Sequence, residues 1–173
     1  MHPTDPPTRR EDRADAIRLR PVGPDELPAL FEIQTDPESN HMAGTKPRTR
    51  EAFFAAWERN LADPGVNARV IEIDDERGGG FKVVGSISRF PADGHDAVGY
   101  WIARAHWGRG IASRALLMFL SEERRRPLHA TAARTNAPSH RILEKCGFWC
   151  VGYRMGEETE RFVAREIAEF VLE

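Results

Sequence analysis

The chain has 173 residues, a formal net charge of −2, 40% hydrophobic and 30% charged residues, and two cysteines. This length suits one domain with a real core, the charge balance excludes a general nucleic-acid binder, and no apolar run approaches the roughly 18 residues a membrane span requires. Residues 1–15 carry prolines and charges without an apolar stretch, so a disordered arm is expected there rather than a secretory signal, and a reducing cytoplasm is the expected compartment.

Residues 17–20 alternate and stop at Pro21, which predicts a first strand. Pro24-Asp25-Glu26 opens a helical stretch with Leu27, Leu30, Phe31 and Ile33 on one side. Residues 35–48 are polar and carry Pro and Gly, which predicts a long loop of the kind that borders binding sites. Thr49 is placed to cap a second helix, with Phe53, Phe54, Trp57 and Leu61 at helical spacing and Pro64-Gly65 ending it. Strands over 68–73 and 82–90 flank a turn rich in Asp and Gly and predict an antiparallel hairpin. A loop over 91–96 leads into a strand over 97–103.

The next helix carries Ala112, Ala115, Leu116, Phe119 and Leu120 at steps of three and four and ends before Pro127. A strand over 128–133 precedes a helix over 136–146, where Ser139, Ile142, Leu143 and Cys146 share a face and Gly147 stands where a left-handed cap belongs. Strands over 148–153 and 166–172 close the chain. The order predicts a mixed α/β layer with a strand–helix–strand unit in its middle and one domain over residues 16–173.

Chemistry concentrates at the two helix entries of that unit. Gly108 and Gly110 precede a helix that starts on small residues, which leaves backbone N–H groups and the positive end of the helix dipole open to a pyrophosphate. Asn136 with Pro138, taken alone, reads first as an ordinary helix cap, and its pairing with the glycine loop favours a ligand-binding side chain. Cys146 and Cys150 resemble half a zinc site, but no second ligand pair has suitable spacing, so no metal is expected. Arg124-Arg125-Arg126 and Arg48-Thr49-Arg50 read as solvated basic clusters or as contacts to phosphates or an acidic partner.

Three motifs together carry a resemblance: Gly99-Tyr100-Trp101-Ile102, Trp107-Gly108-Arg109-Gly110-Ile111-Ala112, and Asn136…Ser139…Leu143-Glu144-Lys145-Cys146-Gly147-Phe148. The chain resembles the GNAT superfamily of N-acetyltransferases, and within it the RimJ/RimL branch. The match is specific from about Val98 to Phe148 and holds in element order over nearly the whole chain. The resemblance implies a central, twisted, mostly antiparallel sheet flanked by helices, with one splayed parallel pair that admits acetyl-CoA as co-substrate. It implies that the backbone of Trp101, Ile102 and Ala103 pairs with the pantetheine arm. The amides of Trp107, Gly108, Arg109, Gly110, Ile111, Ala112 and Ser113 would hold the pyrophosphate. Asn136 would bond the pantetheine and Ser139 would lie near the sulfur. Trp107 departs from the superfamily's usual Gln or Arg, without consequence for contacts made by backbone.

Amide formation from an amine and a thioester needs an uncharged amine, a polarised carbonyl and a proton for the thiolate. Many relatives place a Glu just before the Gly-Tyr pair, where this chain has Ala97 and Val98. Asp96 and His95 are the nearest replacements, with Glu157 and Glu160 as further ones; a protein N-terminus, with a pKa near 8, needs only a weak base or a water chain. The N–H of Ile102 or a neighbour would meet the oxyanion. Glu144 stands where relatives often carry a proton-donating Tyr, which leaves Ser139 or water for that role. The expected function is transfer of acetyl to a primary amine by direct attack, with a protein N-terminus as the RimJ/RimL-like acceptor. The alternatives are a small amine (amino acid, polyamine or aminoglycoside) or a non-catalytic acyl-CoA-binding regulatory protein. A peptide acceptor predicts an open groove near residues 35–48, a small molecule a closed pocket. Neither nucleic acid nor membrane is an expected partner, and a homodimer is expected from family habit.

Overall fold

Seven strands join in one sheet in the order β1-β2-β3-β4-β5-β7-β6. They are β1 (Ile17–Pro21), β2 (Asn67–Asp75), β3 (Gly80–Ala92), β4 (His95–Ile102), β5 (Leu128–Ala133), β6 (Trp149–Gly156) and β7 (Arg165–Leu172). Among the described residues five α-helices flank it: α1 (Leu27–Gln34), α2 (Pro37–Ala43), α3 (Arg50–Ala62), α4 (Ile111–Glu122) and α5 (Ala137–Lys145). The computed structural model describes residues 16–75 and 79–173, so the arm predicted over 1–15 lies outside the described residues. Every strand pairing is antiparallel except β4 with β5. This is the mixed α/β architecture expected from the element order.

Alternation along the strands divides the core by face. On one face Ile71, Ile87, Val98, Leu128, Ala130 and Phe170 pack with Ile111, Leu116 and Phe119 of α4 and Leu143 of α5. On the other, Val70 packs with Leu27 and Leu30 of α1 and Phe53 and Trp57 of α3. Thr49 caps α3 as its spacing predicts, accepting from the Ala52 N–H at 3.2 Å.

Two expectations are corrected. Residues 35–48 are not one loop, because α2 occupies their centre: Asp36 accepts from the Ser39 N–H at 2.8 Å, Pro37 sits in the first turn, and Gly44 (φ 70°) stops the helix. Nor is there a loop over 91–96. β3 and β4 meet at Asp93-Gly94, both at positive φ (50° and 79°), the backbone of a two-residue hairpin turn. Pro91 opposes Asp96 at a position whose N–H faces away from β4, so its missing donor breaks no bond of that ladder.

The arrangement that positions a site is the β4–β5 pair. Its ladder consists of Asp96↔Leu128 and Ala97↔His129 and then stops, although β4 runs on to Ile102 and β5 to Ala133. The two strands therefore share a closed end at residues 96–97 and an open end at residues 100–102.

Candidate active site

At the open end, the strand backbone is directed by the antiparallel pairing on its other side. The Ala103 N–H donates to Val84 O at 2.8 Å, and Ile102 stands opposite Gly85. Alternation then turns the polar groups of Trp101 and Ala103 toward β3 and those of Tyr100 and Ile102 toward the gap. This corrects the expected set of Trp101, Ile102 and Ala103: of the three, only Ile102 presents backbone to the opening. Its carbonyl accepts the Trp107 indole N–H at 2.9 Å. Trp107 thus anchors the glycine loop to the end of the strand, a role its motif position did not reveal.

The glycine loop has the geometry its residues require. Gly108 and Gly110 lie at φ 74° and 70°, and a Cβ at Gly108 would meet nothing within 4 Å. Gly110 is the cap of α4 and offers no side-chain acceptor. Its carbonyl takes the Ser113 hydroxyl at 3.1 Å and the Arg114 Nε at 3.3 Å, and Arg114 also donates to Arg109 O at 3.4 Å. The carbonyls are thereby tied back. Among the described residues, the N–H groups of Gly108, Gly110, Ile111, Ala112 and Ser113 have no carbonyl partner. Arg109, bonded to His106 Nδ1 at 2.9 Å, and Arg114 add positive charge beside them. Open amides, a helix dipole and arginines suit a pyrophosphate.

Across the gap, Asn136 caps α5: its Oδ1 accepts from the Ser139 N–H at 3.2 Å. That use of Oδ1 leaves its amide group for a ligand carbonyl. Ser139 Oγ lies 2.7 Å from the Tyr100 hydroxyl, so one hydroxyl pair ties β4 to α5 beside the opening. Burial pushes the Tyr100 phenol up to about 12, against the lowering effect of the Ser139 bond, so it stays protonated near neutrality. Tyr100 and Ser139 each stand in a motif visible in the sequence; what the sequence did not display is that their hydroxyls meet.

The expected bases are elsewhere. His95 and Asp96 begin β4, at its closed end, six residues or roughly 20 Å of strand from Ile102. The His95 ring lies against His129 with centroids 4.3 Å apart. Asp96 faces Arg89 at 3.5 Å and Arg125 at 3.7 Å. Arg89 in turn bonds the buried Glu123 at 3.0 Å, and Asn67 and the Arg125 N–H complete the cluster, both at 3.1 Å. Burial alone would raise the Glu123 carboxyl, but these bonds outweigh it and hold it at about 2. Asp96 belongs to a structural knot and His95 packs on His129, both at the closed end. Glu157 and Glu160 lie exposed between β6 and β7. Cys146 is buried, its thiol pushed up by burial and donating to Ser113 O at 3.5 Å, while Cys150 donates to Gly152 O at 3.6 Å.

On the other side of the sheet, the Trp101 indole N–H donates to Ile33 O at 3.3 Å. Beside it an open groove of about 600 Å³ runs between Glu32, Ile33 and Asp36 and the segment Ala103–Ala105. Asp36 bonds Arg104 at 3.0 Å across this groove. No helix among the described residues is long and apolar enough to cross a membrane.

Comparison with known proteins agrees with this geometry. A family model described as an acetyltransferase (GNAT) domain matches residues 16–149. No curated protein matches the sequence. Among solved structures, Mycobacterium smegmatis RimJ in complex with CoA-disulfide is 22% identical with a TM-score of 0.71, covering 92% of this chain and 82% of its own. Spermidine N-acetyltransferase from Vibrio cholerae, in complex with CoA and spermine, is 15% identical with a TM-score of 0.73, covering 90% and 94%. The microcin C7 self-immunity acetyltransferase MccE, in complex with acetyl-CoA and AMP, is 16% identical with a TM-score of 0.72, covering 90% and 91%. At these identities the likeness is one of fold.

Proposed function

The chain belongs to the GNAT acetyltransferases, which take acetyl-CoA as donor, and we propose that it acetylates the N-terminal amine of a protein or peptide, with residues 16–173 acting as one domain. The observation that carries this reading is the ladder that stops after two pairs beside the N–H groups of Gly108 and Gly110 to Ser113, which bond no carbonyl; the Trp107 N–H, expected among them, instead donates to Arg104 O at 3.1 Å. The amides of Gly108 and Gly110 to Ser113 would hold its pyrophosphate, the Tyr100 backbone its pantetheine, and the Asn136 amide a pantetheine carbonyl. The donor supplies an acetyl thioester.

The chain's own groups supply the rest. Ser139 Oγ holds a proton for the departing thiolate, Tyr100, protonated and 2.7 Å away, restores it by donating along the same bond, and Tyr100 regains its proton from the water that takes the amine's. The Ile102 N–H is the backbone donor at the opening for a carbonyl oxygen that gains charge. Among the described residues His95 and Asp96 stand at the closed end and do not replace the absent Glu at Ala97 and Val98, so the amine would lose its proton to water, a route open to an N-terminal amine with its pKa near 8. The open groove by Glu32, Ile33 and Asp36 favours an extended peptide over a small enclosed amine.

The test is thiol release from acetyl-CoA with N-terminal peptides, spermidine and an aminoglycoside as acceptors. Peptides are expected to turn over best. Ser139→Ala is expected to lower kcat on the order of 10- to 100-fold with acetyl-CoA affinity unchanged. Full activity in that variant, or turnover of the small amines alone, would overturn the assignment.

A further inference from the structure

The face of the sheet that carries Trp101 holds a charge arrangement the donor does not use. There the segment between β6 and β7 folds back onto the segment after α2. Thr45 bridges Phe162, the Val163 N–H donates to Gly44 O at 2.9 Å, and Lys46 pairs with Glu158 at 2.8 Å. Arg161 stands in this seam. Its Nη1 donates to Lys46 O and to Asn40 Oδ1, and its guanidinium lies over the Trp101 ring, 5.7 Å from the centroid.

Arg48 stands between α2 and α3, two residues after Lys46, whose carbonyl Arg161 bonds. Burial, and then the charge of Arg48, lower the Arg161 guanidinium to about 10. Burial lowers Arg48 as well, with the charge of Arg59 adding to it. Among the described residues neither arginine has an ion-pair partner, Arg48 makes no hydrogen bond, and Arg161 uses none of its Nε or Nη2 protons. Glu160, next to Arg161 in the chain, is exposed and forms no ion pair with it. Nearby Glu158 is already held by Lys46. Two half-buried like charges with no counter-charge are unfavourable alone. An oxyanion between them removes the repulsion and supplies the missing counter-charge, and arginine's planar fork suits it.

We propose that Arg48 and Arg161 form an oxyanion-recognition site for the acceptor, so that the amine acetylated beside Trp101 belongs to a molecule carrying a carboxylate or phosphate, and not to a polyamine. This rests on the acceptor side assigned above.

The experiment compares Ser-Asp-Asp-Ala amide, its phosphoseryl counterpart Ser-pSer-Asn-Ala amide, Ser-Asn-Asn-Ala amide, Ser-Lys-Lys-Ala amide and spermidine. It reads kcat/KM with acetyl-CoA and, separately, calorimetric binding to the CoA-loaded protein. At least one anionic peptide is expected to exceed the Asn peptide by about tenfold or more, with the Lys peptide and spermidine lowest. Arg48→Gln, which breaks no hydrogen bond, is expected to abolish that preference while acetyl-CoA affinity stays unchanged. Equal values for anionic and Asn peptides, a preference for the cations, or a preference that survives Arg48→Gln overturns the proposal. If acetyl-CoA binds and no acceptor turns over, the transfer reading falls separately. The binding arm then decides: tighter anionic-peptide binding by wild type than by Arg48→Gln supports the site, and equal binding overturns it.

Discussion

The two ends of the β4–β5 pair are made from the same two strands and have opposite chemistry. At the closed end the ladder is formed and the charges bond one another: Asp96, Arg89, Glu123, Asn67 and Arg125 make one network. At the open end the ladder is absent and the polar groups face outward: the Ile102 N–H, the loop amides, and the hydroxyls of Tyr100 and Ser139. The more charged end is therefore the structural one. Charge density locates stability here, and unmet backbone locates function.

The largest expected effect breaks the closed end. Arg89 and Glu123 have side chains only 6% and 7% exposed, so Arg89→Met leaves a buried carboxylate unpaired and is expected to lower unfolding free energy by about 3–5 kcal/mol in urea. The folded fraction should bind acetyl-CoA as wild type does, since the loop and gap are untouched.

Acid titrates the same contrast. Glu123 sits at about 2 in the fold against an ordinary value of 4.5, so its contribution is complete above pH 4.5 and disappears as pH falls toward 2. The difference in stability between wild type and Glu123→Gln is expected to shrink by about 3 kcal/mol over that window. A difference that is flat with pH would show that the carboxylate is not held by its partners.

Gly110→Glu tests the open end from the other direction. A side chain at φ 70° costs about 1–2 kcal/mol locally, and its charge would lie among the amides that receive the pyrophosphate. A loss of acetyl-CoA affinity on the order of 100-fold is expected by calorimetry, with the far-ultraviolet spectrum retained. The smallest effect is expected from Asp96→Asn: kcat/KM should stay within about a factor of two, because the residue serves the knot and touches no reacting group. A large fall in kcat would return Asp96 to the catalytic set.

Much of this was legible in the chain, for identifiable reasons. Gly108 and Gly110 announce themselves because only glycine adopts their backbone without strain, and Thr49 and Asn136 because caps are local. The hairpin at Asp93-Gly94 carried its own signal, passed over by assigning residues 91–96 to one loop. The seven residues of α2 lack an apolar stripe, so only Asp36-Pro37 and Gly44 marked its ends. Distance along a strand was the deeper failure. His95 and Asp96 lie close to the Gly99-Tyr100 motif in sequence, yet a strand advances about 3.3 Å per residue, which carries them to the wrong end of the gap. The Tyr100–Ser139 bond joins residues 39 positions apart, and periodicity carries no information about such a meeting. The same holds for Arg161 and Lys46, 115 positions apart.

The central claim is that the donor occupies the open end of β4–β5, and amide hydrogen exchange with and without acetyl-CoA tests it most directly. Protection is expected at the N–H groups of Ile102, Gly108 and Gly110 to Ser113, with residues 95–97 and 128–129 unchanged. Protection confined to the closed end, or a saturating donor that leaves the Ile102 and loop amides exchanging freely, would contradict the account.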